Sequence, residues 1–164
     1  MMMAEEQHTS AAAHAKDEKN EEQADQQQQQ RCDGVAVHAS RIQNAGSGLF
    51  ATRWYAQGSV LCEYTGDILP NAIAWKLADK SYLMKLGEGK YVDALHCPNV
   101  LARYINDCRG RLGGYNVTFE KRPREDKALV VALRDIEEGE ELFVDYGRFY
   151  WVAYNLLHPE SPVN

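Results

Sequence analysis

From Val35 to Val144 the apolar residues come in short runs, each bounded by Gly, Pro or charged residues. Val35 and Val37 alternate with Ala36 and His38, and Val60, Cys62 and Tyr64 alternate with Leu61 and Glu63. Further runs of this type cover 49–51, 81–86, Lys90–Asp93, 115–120, 129–133 and 142–144. A period of two marks a half-buried strand, because successive side chains point to opposite faces. Helical spacing is confined to three places: 72–77 after Pro70-Asn71, 100–105 after Pro98-Asn99, and the aromatic stretch 149–157. The fold class that follows is mostly β, one domain with a few short helices.

Charge and complexity divide the chain near Arg31. Residues 1–31 hold seven acids, three bases, the glutamine block 26–30 and no aromatic residue, so they offer almost nothing to bury. Such a segment is expected to be disordered, because burial cannot offset its ordering entropy. The remaining residues suffice for one self-supporting core. The net charge of −6 argues against direct nucleic-acid binding, which needs a surplus of Lys and Arg. No apolar run approaches the roughly 18 residues of a membrane span, and MMMAEEQHTS lacks the basic and apolar parts of a secretory leader. Cys32, Cys62, Cys97 and Cys108 form no CxxC pair, so no metal site is expected.

Four local features bear on chemistry. Gly46-Ser47-Gly48 precedes a strand; it is a plain turn or a place where a ligand meets the backbone. Arg103-Tyr104-Ile105-Asn106-Asp107-Cys108 ends a helical segment in polar groups, which serve as caps or as ligand contacts. The segment 137–147 is an acidic turn, a strand and then Tyr146 beside Gly147; the acids are a solvated turn or steer a basic peptide. Phe149-Tyr150-Trp151 is core or a face on which a planar ring stacks. Lys121-Arg122-Pro123-Arg124 reads as a solvated hairpin tip or a nuclear address.

Taken in order, five segments resemble the SET-domain protein methyltransferases. They are GSGLFATRWYAQGSVLCEYTGDIL, SYLMKL, KYVDAL, ARYINDC and LVVALRDIEEGEELFVDYG, within 35–151. The resemblance implies small twisted sheets, with a knot-like crossing of the Asn106 and Tyr146 segments at the active site. It implies a SET domain over 32–148 and a segment, 149–164, that closes a cofactor pocket. The cofactor it implies is S-adenosylmethionine. The backbone of Gly46, Ser47 and Gly48, with Tyr82 and Arg103, would hold the methionine part. Asn106 would bind near the sulfonium, the Asp107 backbone would meet the adenine, and Trp151 or Phe149 would stack on it. Tyr146 matches the catalytic tyrosine and Tyr64 a tyrosine of the lysine channel.

The implied substrate is a protein, histone or not, bound as an extended peptide, in the nucleus or cytoplasm. Homo- or hetero-oligomers are both open. Departures are specific. Asp107 stands where the family has His and Cys108 where it has Ser; the loop 109–116 is longer than the usual C-x-P-N; and a type without cysteine-rich flanks is expected. Val144 replaces an aromatic of the channel; if Phe119 fills that space, its lack of a hydroxyl implies room for more than one methyl. The altered Asn106-Asp107-Cys108 segment motivates the alternative, a catalytically silent SET module serving as a protein-interaction domain.

Overall fold

The computed structural model describes residues 32–109, 112–157 and 159–160, without the side chains of Phe149 and Leu157. The tail 1–31, expected to be disordered, lies outside the described residues.

Three small antiparallel sheets make up the domain. β1 (Val35–Ala39) pairs with β2 (Ser47–Ala51). β3 (Val60–Tyr64), β8 (Lys127–Ala132) and β7 (Val117–Arg122) form a sheet in the order β3-β8-β7. β4 (Asp67–Pro70), β6 (Lys90–Asp93) and β5 (Leu83–Gly87) form another in the order β4-β6-β5. β3 departs from strict alternation. Its register shifts between Val60 and Cys62, so Leu61 and Cys62 are both buried. Cys62 hydrogen-bonds the Cys32 thiol, which lowers the Cys32 pKa to about 7 against burial and ties residue 32 to β3. The core gathers Leu49, Val92, Val130, Ile136 and Leu142, all fully buried.

The helical segments are shorter than their spacing suggests. α1 covers only Asn71–Ala74, after which the chain tightens to i,i+3 bonds from Lys76 and Leu77 to Ile73 and Ala74. Residues 100–105 make a single 3-10 turn, Leu101–Tyr104. The aromatic stretch becomes α2, Arg148–Leu157. The basic tetrad sits at the β7–β8 hairpin tip, where a 3-10 turn, Pro123–Glu125, leads to Asp126 in the left-handed region (φ 55°).

The run 142–144 is not a strand of any sheet. Its hydrogen bonds go to three separate segments: Leu142 N–H to Leu49 O (2.7 Å), Val144 N–H to Asn106 O (3.0 Å), and Phe143 O from Asn116 and Val117 N–H (3.1 and 3.2 Å). Phe143 bridges Asn106 in parallel, and Glu141 bridges Phe50. This is the crossing expected of the fold. It also explains why β7 starts at Val117 rather than 115, since Asn116 is taken up in the crossing.

Candidate active site

The Gly46–Gly48 turn is built by one buried acid. Glu141 accepts hydrogen bonds from Ser40 Oγ (2.6 Å) and Arg41 N–H (2.7 Å) and lies against Gly48. A Cβ at Gly48 would clash with Glu141 Oε1 and come within 2.9 Å of its Cδ. Because Glu141 is held at both oxygens, it cannot swing away. Gly48→Ala is therefore expected to cost about 2 kcal/mol by overpacking, read as a lowered thermal midpoint. Gly46 takes a positive φ of 72°, which turns the chain into β2. Asn106 Nδ2 donates to Ser47 O (2.8 Å), so the turn is fastened directly to the crossing.

Asn116 holds the crossing from inside. It is 1% exposed; its Nδ2 donates to Glu141 O (2.8 Å) and its Oδ1 accepts from Phe143 N–H (2.7 Å). Asp107, also buried, collects three N–H donors. Oδ1 accepts from Arg109 N–H (2.6 Å), and Oδ2 from Tyr146 N–H (3.0 Å) and the Trp151 indole (2.7 Å). Tyr115 hydrogen-bonds the same carboxylate; burial first, and then this bond, push its phenol up to about 12.

Tyr64, Tyr82, Arg103 and Tyr146 form one polar cluster. The Tyr64 hydroxyl donates to Tyr82 O (2.6 Å) and the Tyr146 hydroxyl to Ile105 O (2.7 Å). Burial is the main reason that both phenols titrate far above their usual range. The Arg103 guanidinium lies 3.9 Å over the Tyr82 ring and donates to Leu95 O (3.2 Å). Its buried Nε has no acceptor among the described residues. Phe119 meets Tyr64 edge-on at 5.5 Å, and Val144 is buried in the same core cluster.

Trp151, half-buried, stacks near-parallel to Tyr146 at 6.2 Å and carries the Arg109 guanidinium 4.5 Å over its ring. An open cleft of about 500 Å³ between the 109–115 loop and α2 is lined by Arg109, Tyr115, Asp145, Arg148 and Trp151. It does not include Gly46–Gly48, Tyr82 or Arg103. Trp151 and its partner Asp107 thus lie on the cleft side, whereas Gly46–Gly48, Asn106, Tyr82 and Arg103 lie at the turn and the tyrosine cluster. The Phe149 side chain lies outside the described residues.

The family profile described as the SET domain matches residues 46–147. The chain belongs to the SET domain family. Over 118 residues it is 32% identical to the N-lysine methyltransferase KMT5A-A of Danio rerio, an alignment covering 65% of this chain and 33% of that protein. It is 33% identical over 118 residues to the histone-lysine N-methyltransferase 2D of Homo sapiens, covering 67% of this chain and 2% of that one. The chain therefore spans a third or less of these relatives. Among solved structures, a chain of an active polycomb repressive complex 2 in the basal state superposes with a TM-score of 0.57 at 31% identity, over 70% of this chain and 15% of that one.

Two features of this SET domain escape sequence reasoning, and a third, Asn116, is legible in part. Asn116 carried a signal, since it ends the segment corresponding to C-x-P-N. Glu141 carried none, because one glutamate among four near Gly139 looks like a solvated turn. The Asp107 side chain reads as a substitution in a motif, and its three donors become visible only when the crossing is assembled.

Proposed function

We propose that this chain is a protein-lysine N-methyltransferase that uses S-adenosylmethionine. Family membership supports the reaction class, and the observation that carries the reading is the state of the two phenols. Each spends its proton on a backbone carbonyl, so the Tyr64 and Tyr146 oxygens have only lone pairs left to offer. Lone pairs accept N–H bonds from an uncharged amine and leave the amine's own lone pair free to attack. A hydroxyl with a free proton would instead bond to that lone pair and blunt it.

The residues at the methionine end fit the cofactor. Arg103 Nε is a buried donor without an acceptor, which a carboxylate satisfies, and the exposed Gly46-Ser47 backbone lies beside Asn106. In this reading the methionine part is held by Gly46, Ser47, Gly48, Tyr82, Arg103 and Asn106, and the adenine by the Asp107 backbone with Trp151 and Phe149. When bound, S-adenosylmethionine supplies an activated methyl group. Tyr64, Phe119 and Val144 wall the channel, and Tyr146 orients the amine at its end. The segment 149–164, of which 158 and 161–164 lie outside the described residues, is assigned to the pocket side, and the substrate is an extended peptide beside a sheet edge. Alignment in a desolvated channel supplies much of the rate, because it replaces a bimolecular encounter by fixed geometry.

The phenols remain protonated well above pH 10, so the substrate amine sets the pH dependence. A lysine of pKa about 10.4 gains neutral form tenfold per pH unit below that value. We expect kcat/KM to rise about tenfold per unit between roughly pH 7 and 9, without the fall near pH 10 that an ordinary tyrosine would cause; initial-rate profiles check this. The cofactor half is tested by calorimetry with S-adenosylmethionine. Stoichiometric binding supports the reading, and absence of heat favours a silent interaction module.

A further inference from the structure

Lys85 on β5 and Lys121 on β7 are exposed and have no carboxylate partner among the described residues. The acids of the two segments that carry them, 85–90 and 120–127, are already matched. Glu88 faces Arg124 (3.8 Å), Glu120 faces Arg122, Glu125 faces Arg122 (4.0 Å) and Lys127 (3.3 Å), and Asp126 faces Lys90 (2.6 Å). The two strands adjoin: a Cβ on Gly87, at the end of β5, would lie 3.8 Å from Pro123, just past β7. Partial desolvation and the Lys85 charge both push the Lys121 ammonium down, so the two cations feel each other. The fold has left an unneutralised positive pair in an otherwise balanced region.

Its position gives it a use. Lys121 follows Phe119 by two residues on one strand, so both sit on the same face, roughly 7 Å apart along β7. Phe119 contacts Tyr64 and belongs to the aromatic wall of the proposed channel. An extended peptide advances at the same pitch as β7. In a peptide laid along β7, a residue two or three positions from the lysine in the channel comes level with the cations.

Resting on the methyltransferase reading, we infer that Lys85 and Lys121 form a carboxylate subsite, and that the substrate class is a lysine flanked at two or three residues by Asp or Glu. A basic tail is repelled at the same place. Like charges brought together there cost binding, whereas opposite charges are drawn in.

The test is fluorescence anisotropy of the full chain with three synthetic peptides. Each has one central lysine, and the positions two and three residues to either side are all Glu, all Gln or all Arg. The Glu peptide is expected to bind about tenfold tighter than the Gln peptide, the size two exposed ion pairs supply, with the Arg peptide weakest. The preference should shrink at high salt. In K85E/K121E the order should invert, and in K85M/K121M the three peptides should converge. Equal binding of the Glu and Gln peptides, no binding of the Glu peptide, or an unchanged order in K85E/K121E overturns the inference. Anisotropy needs no methyl transfer. Charge-ordered binding without transfer would keep the subsite and sink the reaction, and equal methylation of all three peptides would do the reverse.

Discussion

Tyr146→Phe is expected to lower kcat by on the order of a hundredfold or more, the loss that follows removal of one oriented polar contact at a reacting centre. The ring stays edge-on to Tyr150 and stacked on Trp151, so its packing is retained. Only the oxygen is lost, and with it the lone pairs that hold the amine. The affinity for S-adenosylmethionine should be nearly unchanged, which separates loss of chemistry from loss of the site. Ile105 O loses its donor, so a stability cost of about 1–3 kcal/mol accompanies the change. Steady-state kinetics, calorimetry with the cofactor and a thermal melt together check the three parts. A variant with full activity would remove Tyr146 from the mechanism.

Asp107→Asn should have the larger effect on the fold. Three N–H groups converge on this carboxylate, and all three need acceptors. Asparagine offers one oxygen and turns an NH2 toward the rest. Leaving buried donors unpaired costs about 1–3 kcal/mol each; a net loss of about 3 kcal/mol lowers the thermal midpoint by on the order of 10 °C. Asp107→His, which restores the family's usual residue, should not rescue the loss, since a neutral imidazole accepts only one hydrogen bond. In this chain Asp107 also fastens α2 to the crossing through Trp151, so the indole should become more exposed. Trp54 and Trp75 are 53% and 71% exposed and would dominate the emission. The shift is therefore best followed in a background with both changed to Phe. Melting and emission indistinguishable from the parent chain would contradict the role given to Asp107.

What could be read from the sequence follows from distance along the chain. β1, β3, β6 and the β7–β8 hairpin tip are bounded by turns at their own ends, and sequence reasoning places them well, although the bulge in β3 breaks its alternation. The Gly46–Gly48 turn is legible for the same reason. The crossing is a different case. Residues 142–144 alternate like a strand, yet their hydrogen bonds are drawn from Leu49, Asn106, Asn116 and Val117, far apart in sequence. The 100–105 and 72–77 segments keep helical spacing but stop after one turn, because the chain tightens to i,i+3 bonds. Within the site, Tyr64 and Tyr146 could be found by motif, but the spent protons that make them acceptors could not. Nor could the meeting of Lys85 with Lys121, which depends on two sheets being brought side by side.

Transfer itself is the most direct test of the whole account. The full chain is incubated with S-adenosylmethionine carrying a deuterated methyl group and with a mixture of proteins, and labelled peptides are sequenced by mass spectrometry. The account predicts deuterated methyl on lysine ε-nitrogens, formed in step with S-adenosylhomocysteine and abolished in Tyr146→Phe. Cofactor bound at full occupancy with no label on any lysine, or label persisting undiminished in Tyr146→Phe, would contradict it.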